Sequence, residues 1–145
     1  MMNDRPMKAS VDTNVISALS SNQPAAKAMS LELDRTRTAG GLAICGPVYA
    51  ELSAHPGAGR NLLESFLSAT KIEVDCALDA PIWREAARAY AEYADRRRKS
   101  NGGHPKRLLA DFAIGAHALI KANRLFTLDR DRYTQNFPSL KLFEM

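Results

Sequence analysis

Short apolar runs of strand composition alternate with longer helical segments along the whole chain, and this alternation narrows the fold more than any other feature. Lys8-Ala-Ser-Val11 reads as an opening strand that ends on Asp12. Residues 13–19 turn helical, with Thr13 or Asn14 available as cap, and Pro24 suits the first turn of a second helix over residues 25–36. Gly40-Gly41 stops that helix. Leu42-Ala-Ile-Cys45, bounded by glycines and Pro47, predicts a buried strand. Helices over residues 48–54 and 61–69 follow, then a strand at Lys71-Ile-Glu-Val74. Asp79 is placed to cap a long helix from about Pro81. Its apolar face (Ile82, Trp83, Ala86, Ala87, Tyr90, Tyr93, Ala94) keeps the i, i+3, i+4 spacing. A loop at residues 100–105, a helix over 108–122, a strand at Arg124-Leu-Phe-Thr127, a short helix within 129–137 and a strand at Leu140-Lys-Leu-Phe143 complete the pattern. Strands separated by helices imply right-handed crossovers, hence an α/β fold with a mainly parallel sheet. The 145 residues, with no repeat, low-complexity tract or linker, predict one domain over residues 1–145.

Composition removes several function classes. No uncharged apolar run approaches the roughly 18 residues of a membrane-spanning helix, so no membrane role is expected. Residues 1–10 are polar and charged and lack a signal-peptide core, which makes a cytoplasmic location the expectation. Cys45 and Cys76 are too few for a zinc site or a disulfide framework and read as buried free thiols. The net charge is +4, but residues 95–107 carry Arg96, Arg97, Arg98, Lys99, Lys106 and Arg107 against one acid. That segment alone is +5, so the remainder of the chain is −1. A local basic patch points to a polyanion such as RNA. The alternative is a solvated helix end whose arginines suit the C-terminal dipole. The stripe of Trp83, Tyr90 and Tyr93 reads as core or subunit interface.

Ligands of open α/β sheets gather beyond the carboxyl ends of the strands. Four acids have the sequence position to reach that rim. Asp12 directly follows the first strand, and Asp129 lies two residues beyond Thr127. Glu51 lies one to two turns into the helix after Cys45, and Asp111 about one turn into a helix that follows the basic loop. Asp111 is the only acid in an apolar stretch, with Gly115 at i+4 leaving space beside it. Such an acid is costly unless it is paired, for instance with Arg107 at i−4, or bound to a metal. Acids without matching His or Cys ligands favour hard cations, Mg²⁺ or Mn²⁺. A basic patch beside an acidic metal pocket fits phosphodiester cleavage.

Four segments resemble the PIN-domain ribonucleases, and among them the VapC toxins of toxin–antitoxin pairs. They are Val11-Asp12-Thr13-Asn14-Val15, Pro47-Val-Tyr-Ala-Glu51-Leu, Leu109-Ala-Asp111-Phe-Ala-Ile-Gly-Ala-His-Ala and Thr127-Leu-Asp129-Arg-Asp-Arg-Tyr133. They occur in the family's order over essentially the whole chain. The resemblance implies a single PIN-like domain with a five-stranded parallel sheet flanked by helices, a homodimer, and neutralisation by a small cognate antitoxin. It implies a Mg²⁺- or Mn²⁺-dependent endoribonuclease in which metal-activated water cleaves RNA and leaves a 5′ phosphate. Carried over by motif, Asp12, Glu51, Asp111 and Asp129 are the catalytic acids. Asp12, Asp111 and Asp129 hold the metal, with Glu51 acting through water, and Asn14 and Thr127 support them. Asp131 is an extra surface acid, Tyr133 fills a later aromatic position, and His55, His104 and His117 have no required role. The loop and flanking residues from Arg96 to Pro105 are longer and more basic than the family pattern. Two other classes remain. A non-catalytic RNA-binding module would leave at least one acid apart from the rest. An aspartate-based phosphatase would need an acid two residues after Asp12, where Asn14 stands.

Overall fold

The strand that opens the chain lies in the middle of the sheet. In the computed structural model, which describes residues 8–20, 24, 26–55, 59–103 and 105–143, β1 (Ala9–Val11) pairs in parallel with β2 (Leu42–Cys45) on one side and β4 (Arg124–Phe126) on the other. β3 (Ile72–Asp75) and β5 (Lys141–Leu142) form the edges, giving one five-stranded parallel sheet of order β3-β2-β1-β4-β5. Every residue of β1 and β2 is buried, whereas the edge strands are partly exposed. This is the pattern of a parallel sheet covered on both faces by its crossover helices.

Those helices are α1 (Thr13–Ser20), α2 (Ala26–Ala39), α3 (Gly46–Ser53), α4 (Arg60–Thr70), α5 (Ala80–Lys99), α6 (Leu109–Lys121) and the short α7 (Asp131–Thr134). The caps explain several boundaries. Asp79 Oδ1 accepts from the Ile82 amide at 3.5 Å and starts α5, as its position in the sequence predicts. Ile82, Ala86, Ala89 and Tyr93 then form its buried stripe. Trp83 and Tyr90, read from the sequence as part of that stripe, are 44% and 41% exposed. At the start of α1 neither Thr13 nor Asn14 is the cap, because both are already helical; Asp12 Oδ1 instead accepts from the Thr13 amide at 2.8 Å.

Residues 111–118 of α6 are all buried, Asp111 and His117 included. Gly115 does not leave room beside Asp111. A Cβ on it would overlap Cε2 of Phe137, so the glycine admits that ring against the helix. Phe112 packs between Tyr90, Tyr93 and Phe137, with ring centroids 4.9, 5.2 and 6.5 Å away. Cys45 is buried and its thiol is pushed up to about 11 by desolvation, which makes it inert. Cys76 is exposed, contrary to the buried thiol its apolar neighbours imply, because it lies just past the end of edge strand β3. Among the described residues no helix is long and apolar enough to cross a membrane.

Candidate active site

A parallel sheet brings the carboxyl ends of all its strands to one edge, and the helix that follows a strand starts at that same edge. Asp12 stands there, at the end of the central strand, and is fully buried. Its amide donates to Phe126 O of β4 at 2.9 Å, which locks it in register. Its carboxylate accepts from the Thr13 amide at 2.8 Å, the Thr127 hydroxyl at 2.9 Å and the Tyr133 hydroxyl at 2.8 Å. Burial raises the Asp12 pKa above the ordinary carboxylate value, and these three hydrogen bonds together with the charge of Arg132 only partly offset it. Tyr133 is pushed well up in turn, first by its own burial and then by the charge of Asp12. It remains a neutral donor.

Thr127 is the junction of the site. Its Oγ1 donates to Asp12, receives the Asp129 amide at 3.0 Å and lies 3.4 Å from the Asn14 side-chain amide. Asn14 Oδ1 accepts from the Leu128 amide at 3.1 Å. Asn14 and Thr127 thus hold the chain after β4 against the start of α1. Glu51, on α3, is exposed and accepts from the Thr13 hydroxyl at 2.5 Å, one residue away from Asp12.

Asp111 is not paired with Arg107. Its Oδ2 accepts from the Leu108 amide at 3.1 Å, and the Asp111 amide donates back to Leu108 O at 3.0 Å, closing the first turn of α6. Its Oδ1 lies 3.6 Å from Arg132 Nη1. Asp129 Oδ2 lies 3.2 Å from Nη2 of the same guanidinium, while its Oδ1 accepts from the Arg132 amide at 3.3 Å. Burial disfavours the charged guanidinium, but Asp111, Asp12 and Asp129 outweigh it and raise the Arg132 pKa. Asp131, next in sequence, is exposed.

Two acids from separate segments, Asp111 and Asp129, therefore flank one cationic group, which also feels the charge of Asp12. Asp12, Asp111 and Asp129 are hard oxygen donors, and the guanidinium is a stand-in cation among them, so the residues fit Mg²⁺ or Mn²⁺ in donor chemistry and in charge. As placed, no group of three or more His, Cys, Asp or Glu among the described residues stands close enough to hold an ion. Sequence reasoning missed Arg132 altogether and gave Tyr133 only a packing role. A basic or phenolic residue a few positions beyond a rim acid was the available signal.

The basic patch divides in two. Arg96 is half-buried and donates to Asn136 Oδ1. Arg97 is half-buried, and Arg98 and Lys99 share Asp95 at 3.5 and 3.0 Å. Lys106 is exposed and Arg107 half-buried, and both precede the first turn of α6 that carries Asp111. The Tyr93 hydroxyl ties this stretch to α5 by donating to Pro105 O at 2.9 Å and accepting the Arg107 amide. His117 does have a partner: its Nε2 lies 2.9 Å from Asp75 Oδ2. His55 is exposed, and His104 lies outside the described residues.

The same architecture occurs in solved structures. One is VapBC2 from Rickettsia felis, in a crystal structure bound to a DNA fragment from its promoter; it is 20% identical, with a TM-score of 0.67, covering 94% of this chain and 98% of that one. VapBC-1 from nontypeable Haemophilus influenzae is 19% identical, with a TM-score of 0.60, covering 95% and 98%. No curated protein matches in sequence. The family model described as "PIN domain" matches residues 9–136, a span that takes in Asp12, Glu51, Asp111 and Asp129 together with the sheet from β1 to β4. The chain belongs to the PIN domain family.

Proposed function

We propose that this protein is a Mg²⁺- or Mn²⁺-dependent endoribonuclease and the toxin of a toxin–antitoxin pair, a homodimer neutralised by a small cognate antitoxin. The observation that carries the reading is the pairing of Asp111 and Asp129, from separate segments, with a single cation at the carboxyl edge of the sheet, where the charge of Asp12 also acts on it. Membership of the PIN family and the shared fold with two VapBC proteins support it.

In this reading Asp12, Asp111 and Asp129 would hold the ion, with Glu51 acting on it through water. When bound, the ion supplies an activated water and offsets charge on the departing 3′ oxygen. Thr127, Tyr133 and the Thr13 amide fix the orientation of the Asp12 carboxylate. Asn14 and Thr127 hold the stretch that carries Asp129 against the start of α1. Arg96, Arg97, Arg98, Lys99, Lys106 and Arg107 take the RNA phosphates. Trp83 and Tyr90, exposed on α5, supply apolar surface for a second copy.

The test is cleavage of single-stranded RNA by purified protein, with Mg²⁺, with EDTA and with Asp12→Asn. Cleavage should appear only with metal and only in wild type. Cutting that persists in excess EDTA would contradict metal dependence. The non-catalytic RNA-binding reading is favoured by one observation, the absence among the described residues of three acids close enough to share an ion. RNA retention without cleavage in Mg²⁺ and in Mn²⁺ would establish it.

A further inference from the structure

Arg132 is the one charged residue of the acidic site to which the proposed chemistry gives no role. Its guanidinium bridges acids from different elements, Asp111 on α6 and Asp129 after β4. The side chain is 31% exposed, and its Nε is buried with no hydrogen-bond partner. A partly buried guanidinium with one donor unmet carries a cost that its partners must offset. The surrounding carboxylates are what hold it there.

A divalent ion would need the same oxygens. Two positive charges a few ångströms apart repel strongly in a partly buried site. The guanidinium and the ion therefore exclude one another. We infer that Arg132 is an internal counter-ion that competes with the divalent cation for Asp111 and Asp129, so that the ion binds only as the guanidinium swings out. The inference rests on the metal-dependent reading above.

The arrangement changes what metal-free protein is expected to do. Crowded carboxylates with no cation disfavour each other's ionised form and weaken the fold. Arg132 relieves that repulsion here and, in doing so, lowers the affinity for metal. Removing its charge should move the two properties in opposite directions. A purely structural arginine would not do this, because its loss would loosen the site and weaken metal binding along with the fold.

Titration calorimetry with Mn²⁺ at neutral pH, alongside melting in EDTA, distinguishes these cases for wild type, Arg132→Gln and Arg132→Lys. Arg132→Gln should melt below wild type in EDTA yet bind Mn²⁺ about tenfold more tightly or better. Lysine keeps the charge but cannot grip two carboxylates at once, so Arg132→Lys should fall between the two. If the glutamine variant does not fold, the lysine variant must still bind Mn²⁺ more tightly than wild type. Equal or weaker binding by a folded variant overturns the competition and leaves the metal reading standing. An absence of Mn²⁺ binding at millimolar concentration in every protein, wild type included, overturns the metal reading and this inference with it.

Discussion

Asp12 is a buried acid kept in place by donors rather than by a single counter-charge, and that fixes how it answers to pH. Its folded pKa lies above the ordinary carboxylate value because burial outweighs its hydrogen bonds. The folded chain then holds this proton more tightly than the unfolded chain does. The contribution of Asp12 to stability falls as pH rises from about 4 through the raised pKa, and is level above it. Unfolding by urea in EDTA, compared between wild type and Asp12→Asn across that window, isolates the effect. Wild type's advantage should shrink as pH rises; an advantage that grows would show that the carboxylate is favoured by its surroundings. Tyr133→Phe removes one donor from the Asp12 carboxyl group. It should cost about 1.5–3 kcal/mol at neutral pH, the usual worth of a buried hydrogen bond to a charged group. Denaturant midpoints of the two proteins read it directly.

At the scale of elements, α6 is tied down along its length. Its first turn is closed by Asp111, its middle accepts the ring of Phe137, and His117 ties it to Asp75 at the end of β3. Gly115→Ala would drive a methyl group into a ring that is 2% exposed and has nowhere to go. A loss of about 1–3 kcal/mol is expected, the scale of overpacking a filled core, and a melting curve equal to wild type would contradict it. This position also marks the limit of what the sequence carries. β2 is legible as an apolar run framed by glycines, and the other strands as short segments of strand composition set between helical stretches. Asp12, Asp111 and Asp129 are legible because each follows a strand or opens a helix, whereas Glu51 lies in the second half of α3. The ring beside Gly115 is not, since Phe137 lies 22 positions further on and no local pattern relates the two. Arg132 escapes for the same reason, because its tie to Asp111 exists only once α6 and α7 are packed together. Cys76 shows the converse, with apolar neighbours in sequence but solvent in space.

At the scale of the whole molecule, positive charge gathered between the end of α5 and the start of α6 borders the acidic rim. Arg98 and Lys99 are committed only to a shared surface acid, an interaction weak enough for a polyanion to displace. Arg98, Lys99 and Lys106 changed together to alanine should flatten the log–log salt dependence of RNA binding by about 0.7 for each phosphate that is no longer neutralised. An unchanged slope would return the patch to a solvated helix end. The sheet order has its own consequence, which concerns synthesis. β1 is made before the other four strands, yet it is the central one, and Ser10 pairs with Leu125. Asp12 meets Thr127 and Tyr133 across 115 and 121 positions of chain. A nascent chain thus carries the acid through the synthesis of all the intervening residues without the groups that set its geometry. Pairings this distant form late and slowly. The acidic site is assembled only once Tyr133 has been made, and a message cut or a frame shifted before its codon yields a fragment that cannot build it.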